Sequence, residues 1–326
     1  NQYERHAKDP RSQHSISLSH DAWGGLTHAV TIHCARRTRA DDTPPFDSEH
    51  EQTWWRDAHD EAQYSHYLNE VRSRAIHLTD RQGWRLGLPW QQRGNALVLP
   101  AAQLPLRTIS FEHFTSAESP LNDAATRHLT GQSVQRYQAP DTHSWQPLPD
   151  GQASFEALPG PLESAELDET ALQAYDRVMT RAQLEEQLLE LGYARMPALL
   201  PEQPGLELWA VQQGFTTFAP SNGFHRAVSS RQTRSHGLTQ IGYDPYWCVI
   251  SDVALPDGCH THAEFDYCSL QPVRIVDPNR NVQEALYDGL GRVLASSFHG
   301  TEGGLPAGFT PLAEYQRGSE VLADAI

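Results

Sequence analysis

The 326-residue chain carries 41 acidic residues against 25 basic ones, for a formal net charge of −16, and its single lysine is Lys8. That balance excludes nucleic acid and an anionic membrane surface as partners, because both demand a positive footprint. With 38% hydrophobic and 20% charged residues, 22 glycines and 22 prolines, the chain reads as folded and turn-rich rather than disordered.

The first residues, Asn1-Gln2-Tyr3, carry neither a basic nor an apolar leader, and no run approaches the ~18 apolar residues of a membrane span. So abrupt a start and stop lead us to expect further chain on both sides, in a larger parent. Strand-like runs at 15–19 and 29–34 flank His20-Asp21-Ala22-Trp23-Gly24-Gly25-Leu26. Residues 39–51, with Pro44-Pro45, read as a loop. Over 63–77, Tyr64, His66 and Leu68 alternate while Tyr67, Val71 and Ala75 keep a helical stripe; a strand is the reading taken. Residues 80–160 are dense in Pro, Gly and Gln and predict irregular strands and long loops. Helical spacing is clear only over 167–191, with Ala171, Leu172, Tyr175 and Val178, then Leu184, Leu188 and Leu191. Asp168 fits a first N-cap, Thr180 with Gln183 a capping box, and Gly192 the stop, so a small helical hairpin is expected.

Toward the end a repeat emerges. Tyr243-Asp244, Phe265-Asp266 and Tyr287-Asp288 are spaced 22 residues apart, and turn signals keep the same phase at Asp257-Gly258, Asp277-Pro278-Asn279-Arg280-Asn281 and Glu302-Gly303-Gly304. Between them lie short runs at 248–253, 261–265, 272–276, 282–287 and 292–298, rich in the β-branched and aromatic residues of strands. In Asp288-Gly289-Leu290-Gly291 the Asp opens a turn whose own amides its carboxylate can accept. The stretch from His20 to Leu26 is a degenerate copy, sharing the spacing of Asp21, Gly24 and an aliphatic residue with Asp288, Gly291 and Val293. One hairpin per ~22 residues, stacked on the next, gives a long sheet. The predicted organisation is irregular β-sequence over 1–160, a helical hairpin over 161–195 and repeat hairpins over 196–326.

These repeats, built on Tyr-Asp, Gly-Arg and Asp-Pro-Asn, resemble the YD (RHS) repeats of bacterial polymorphic toxins and teneurins. The residues Asp21, Gly24, Tyr243, Asp244, Phe265, Asp266, Asp277, Pro278, Asn279, Tyr287, Asp288, Gly291 and Arg292 carry the motif. The series from Tyr243-Asp244-Pro245 through Asp277-Pro278-Asn279-Arg280-Asn281 to Gly300-Thr301-Glu302-Gly303 is similar to the latter half of the B component of insecticidal toxin complexes. So are His77-Leu78-Thr79-Asp80 with Trp84-Arg85-Leu86-Gly87-Leu88-Pro89, and Leu208-Trp209-Ala210-Val211-Gln212-Gln213-Gly214-Phe215. The pattern departs at Tyr267-Cys268-Ser269, where an Arg is more usual after the aromatic residue. The resemblance implies a mainly β fold of antiparallel strands in a curved, spiralling β-shell. It implies a structural role in a secreted toxin, enclosing a cytotoxic effector carried by the C component. The rest of the B chain would dock it on the pore-forming A component.

Catalytic motifs do not survive inspection. His50-Glu51-Gln52-Thr53-Trp54 has Trp where a metalloprotease helix needs its second His. Glu49-His50-Glu51 lacks the companion motif of ADP-ribosyltransferases. Gly289-Leu290-Gly291 lacks the third Gly of a dinucleotide fingerprint, and no G-x-S-x-G occurs. His260 and His262, two apart on a strand beside Cys259 and near Cys268, are one candidate for zinc, but a site needs three or four convergent ligands with a second shell, and an ordinary strand face is the reading taken. The four cysteines, Cys34, Cys248, Cys259 and Cys268, read as buried thiols, with a single bridge among the last three as the alternative. With 17 histidines a pH-responsive stability is a further expectation. The expectation is therefore no enzyme, no cofactor and no metal. An adhesion or glycan-binding module on the same repeats is the alternative, with a hydrolase within 80–160 behind it.

Overall fold

In the computed structural model the described residues are 9–81, 83–104, 109–123, 127–140, 147–200 and 207–314. Lys8 and both chain ends lie outside them. The chain is mainly β and divides into two compact units. Unit 1 comprises residues 1–136, 149–155 and 162–211; unit 2 comprises 137–148, 156–161 and 212–326. Among the described residues no helix is long and apolar enough to cross a membrane.

Unit 1 is organised on an eight-stranded sheet. Its strands are β1 (Gln13–His20), β2 (Leu26–His33), β3 (Ser65–Thr79), β4 (Trp84–Pro100), β5 (Arg127–Gln138), β6 (Leu158–Leu167), β7 (Tyr193–Pro197) and β8 (Glu207–Gln213), in the order β1-β2-β3-β4-β5-β6-β8-β7. The strand reading of 63–77 holds, because the alternation wins over the helical stripe: His66, Leu68 and Glu70 are buried while Tyr67, Asn69 and Val71 are exposed. Register Leu68↔Leu97 then brings the buried row of β3 against Leu97 and Leu99 of β4. With Leu18, Val30 and Ile32 these form one core, covered by Leu104, Phe114 and Leu121.

The stretch read as irregular is more regular than expected, since β4 runs for 17 residues and β5 for 12. Polar residues on the buried face hid the alternation. Glu70, at 0% exposure, receives His28 Nε2 at 2.8 Å, Arg72 Nε at 2.7 Å, Asn95 Nδ2 at 2.8 Å and Arg127 Nη2 at 2.6 Å. Arg93, also buried, donates to Asn95 Oδ1 at 3.1 Å and to the Leu199 carbonyl at 3.0 Å. Each polar group of this band has a partner, which is the condition for burying it.

The loop expected over 39–51 gives way at its end to helix α1 (Glu49–Asp57). Nothing in α1 is buried, so it has no apolar stripe to read; acidic Glu49 and Glu51 in its first turn and Arg56 in its last suit the helix dipole. Helices α2 (Glu112–Thr115), α3 (Glu169–Gln173) and α4 (Arg181–Glu190) complete the set. Asp168 caps α3 through the Ala171 amide at 2.8 Å, and Thr180 and Gln183 form a full capping box on α4. Leu172, Leu184 and Leu188 from these two helices pack on buried Trp209.

Unit 2 is organised on a meander of nine strands in chain order: β9 (Phe215–Phe218), β10 (Ala227–Arg231), β11 (Thr239–Tyr243), β12 (Ile250–Ala254), β13 (His260–Asp266), β14 (Gln271–Val276), β15 (Val282–Tyr287), β16 (Val293–Glu302) and β17 (Leu305–Gly308). Each strand pairs antiparallel with its neighbours in this sheet. Among the described residues from Thr239 to Gly308, no hydrophobic side chain is fully buried. This unit is thus ordered by backbone ladders and turns more than by a core of its own.

Candidate functional site, the aspartate turns

The repeat residues act locally, and the geometry shows how. Asp288 Oδ1 accepts the amides of Leu290 and Arg292, each at 2.9 Å. Its own N–H donates to the Arg292 carbonyl and the Gly291 N–H to the Asp288 carbonyl, both at 2.9 Å. Gly291 takes φ +77°, a left-handed conformation that glycine adopts without strain. Arg292 Nε closes the loop on Asp288 Oδ2 at 2.7 Å.

The turn at Asp21, in unit 1, repeats this pattern bond for bond. Asp21 Oδ1 accepts Trp23 N and Gly25 N at 2.8 Å, Asp21 N donates to Gly25 O, Gly24 N donates to Asp21 O, and Gly24 has φ +84°. His77 Nε2, 3.0 Å from Asp21 Oδ2, takes the place of the arginine. Asp277 uses the same five-residue loop, with Asn281 N on Oδ1 and Asn281 Nδ2 on Oδ2, both at 2.8 Å; Arg280 occupies the left-handed position at φ +64°. Pro278 and Asn279 fill its two central positions.

Asp244 anchors a loop longer by one residue. Its carboxylate accepts Tyr246 N at 3.1 Å, Cys248 N at 2.7 Å and Val249 N at 2.9 Å, and also the Tyr267 hydroxyl of the next turn at 3.1 Å. Asp266 closes differently, at the point where Tyr267-Cys268-Ser269 departs from the pattern. It holds Cys268 N and Ser269 N at 3.1 Å and Ser269 Oγ at 2.7 Å, and Leu270 N donates to its carbonyl with φ +55° at Leu270.

The aromatic partner has its own place. The pairing register shifts at Gly242/Tyr243, at Glu264/Phe265 and at Leu286/Tyr287, the same position in each repeat. Tyr243 and Tyr287 donate their hydroxyls to the carbonyls of Ala227 and Pro272, at 3.0 and 2.9 Å. Phe265 has no hydroxyl to give. Each aromatic-Asp pair therefore ends one strand with a bulge and opens the next turn.

Hydrogen bonding sets the charge state of these turns. Asp288 is held below the usual carboxylate range chiefly by the Arg292 amide, Asp21 by the Gly25 amide, Asp277 by the Asn281 side chain and Asp266 by the Ser269 hydroxyl. At Asp244 burial pushes upward but its backbone donors prevail. Asp288→Ala is expected to lower the thermal midpoint by about 2 °C, read by circular dichroism, because the loop keeps its backbone bonds and its glycine.

The other candidates carry little chemistry. His262 Nδ1 and His260 Nε2 both face Asp252 Oδ1, at 2.8 and 3.2 Å, and Ser251 Oγ holds the other oxygen. Among the described residues no group of three His, Cys, Asp or Glu side chains could hold a metal. The cysteines are free, but the expectation that they are buried fails: Cys34 and Cys259 are half-buried, and Cys248 and Cys268 are exposed because they lie in the Asp244 and Asp266 turns and not on an inward strand face. Glu49-His50-Glu51 lies on exposed α1. The signal that sequence reasoning missed is the Glu70 band, whose members are polar and far apart in the chain.

A family model described as the insecticide toxin TcdB middle/C-terminal region matches residues 1–88. No curated protein matches the chain. Solved structures of TcdB2-TccC3, and of TcdB2-TccC3 with Cdc42, match over 98% of this chain with TM-score 0.81 and 25% identity. The Photorhabdus luminescens Tc holotoxin pore matches over 95% with TM-score 0.78 and 24% identity. This chain spans 15% of the TcdB2-TccC3 chains and 14% of the holotoxin chain. The likeness to the B component of insecticidal toxin complexes, read from the repeat residues, is thereby shown.

Proposed function

We propose that this chain, alike in fold to the TcdB2-TccC3 structures over nearly its whole length, is a structural segment of a toxin-complex B component. In this reading its two sheets are stretches of the wall of a hollow β-shell, and the shell holds a cytotoxic effector. The C component is the shell partner that carries the effector, and the A component is reached through the rest of the B chain. The protein acts outside the cell and is not an enzyme. Asp21, Asp244, Asp266, Asp277 and Asp288, with their aromatic, glycine and arginine neighbours, are the structural motif that sets one hairpin beside the next.

One observation carries this reading beyond the likeness itself. A nine-strand meander without a buried hydrophobic side chain over Thr239–Gly308 gains little from a core, but it suits a wall laid against neighbouring chain. Enclosure needs a closed surface and no reactive group, and the turns supply closure by local bonds. The test is co-expression of the full-length protein with a C-type component, followed by protease challenge. The effector part of the C component is expected to survive digestion in the complex and to be cleaved when the C component is alone. Equal cleavage in both states would reject the shell reading.

A further inference from the structure

Trp23 and Trp84 belong to different hairpins of unit 1, yet their ring centroids lie 5.6 Å apart at an interplanar angle of 59°. They stay 45% and 71% exposed. Two tryptophans that touch each other but remain in water are a contact surface without its partner, since burial of either would be favourable. His77 anchors the Trp23 side of the pair. The His77 ring lies 6.1 Å from Trp23, its Nδ1 accepts the Gly87 amide at 3.1 Å, and its Nε2 donates to Asp21 Oδ2 at 3.0 Å. One imidazole thus ties the turn of the first hairpin to the second.

Beside this platform, lined by Asp21 and Gly87 at that end, is a groove of about 340 Å³, within the roughly 300–1,000 Å³ of small-ligand sites. Its lining mixes apolar Leu26, Pro89, Leu162 and Trp90 with Arg74, Gln92 and Ser133. Ser73 is paired with Gln92, and Gln92 with Ser133, so an amide stands between two hydroxyls in a row across β3, β4 and β5. Trp90 is fixed by its Nε1 on Asp150 Oδ1 at 3.1 Å. Gln92 and Ser133 make no side-chain hydrogen bond to another described residue.

The lining chemistry selects the ligand. Amides and hydroxyls offer donors and acceptors in alternation, and indole faces accept C–H groups. A pyranose ring presents that same alternation of hydroxyls and C–H faces. A nucleic acid is disfavoured by the net charge of −16. We infer that the Trp23–Trp84 pair and the groove that begins beside it at Asp21 and Gly87 form a site for an extended oligosaccharide, with one sugar stacked on the indoles and further sugars of the same chain reaching Gln92 and Ser133, which lie several residues along the strands at ~3.3 Å per residue.

The full-length protein is applied to a printed array of neutral and acidic oligosaccharides, and an array hit is titrated by calorimetry. Binding to a defined oligosaccharide set is expected. Trp84→Ala and Gln92→Ala are each expected to weaken it roughly tenfold or more. Both side chains are exposed, so the thermal midpoint stays in place. Trp54→Ala, removing a 61% exposed tryptophan on α1, leaves binding unchanged. The inference is overturned by an array without hits, by binding indifferent to both groove substitutions, or by loss with Trp54→Ala. Groove-dependent binding to a peptide array without any glycan hit also overturns it. None of these results bears on the shell reading, which the protease challenge decides.

Discussion

Glu70→Ala is expected to destabilise unit 1 by about 3–5 kcal/mol, the cost of removing one partner from a buried ionic group. The carboxylate is fully buried and receives five donor atoms from His28, Arg72, Asn95 and Arg127. Arg127, itself only 4% exposed in its side chain, would be left in the interior without its anion. Repulsion from Arg72 and Arg127 already weakens the hold of Arg93 on its proton, after burial, so loss of Glu70 leaves three guanidinium groups facing one another. The double variant Glu70→Ala/Arg127→Ala should recover part of the loss, and chemical denaturation measures both. A loss in the double variant equal to the sum of the Glu70→Ala and Arg127→Ala losses would show that the pair is not coupled.

The same carboxylate makes stability depend on pH. Burial raises its pKa, but hydrogen bonds from His28 and Arg72 and the charges of Arg72 and Arg127 outweigh burial and hold it at about 2, against 4.5 when unfolded. Its contribution is therefore complete above pH 4.5 and is lost as pH falls from 4.5 through about 2. His66 acts earlier. Fully buried, it accepts the Ala35 amide on Nδ1 at 3.0 Å, and burial pushes its pKa below 6.5. The unfolded imidazole takes its proton first, so stability begins to fall as pH drops below 6.5.

The second large effect is expected at Asp244. Asp244→Ala removes the acceptor for three backbone amides and for the Tyr267 hydroxyl of the next turn, at a residue only 7% exposed. Buried donors left without an acceptor are more costly than a lost bond at the surface. The thermal midpoint should fall by about 5 °C, more than twice the effect of Asp288→Ala. Asp244→Asn should lie between wild type and alanine, since one amide oxygen can still accept Cys248 N and Val249 N. Tyr267→Phe isolates the link between turns and should cost the smallest share. If Asp244→Ala and Asp288→Ala prove equal, the bond joining successive turns contributes nothing.

These two residues also mark what the sequence reveals. The aspartate turns are legible because everything they need lies within five or six residues: a carboxylate, the amides after it and a residue that tolerates positive φ. Even the degenerate copy at Asp21 folds into the bonds found at Asp288. The Glu70 band is illegible for the opposite reason. Its bonds to His28 and Arg127 span 42 and 57 residues, and polar side chains on an inward face read as outward-facing. Those polar residues give β4 and β5 the look of irregular strands and long loops. Helix α1 was missed because it buries nothing. The exposed tryptophans Trp23 and Trp84 were visible as residues, but only strand register brings them together.

Electron cryomicroscopy of the full-length protein bound to a C-type component tests the proposed wall role most directly. β9 to β17 are expected to run as consecutive hairpins in the wall of a hollow shell, flanked by further strands and with effector density inside. A solid two-layer sandwich at this segment, with its faces packed together and no enclosed volume, would contradict it.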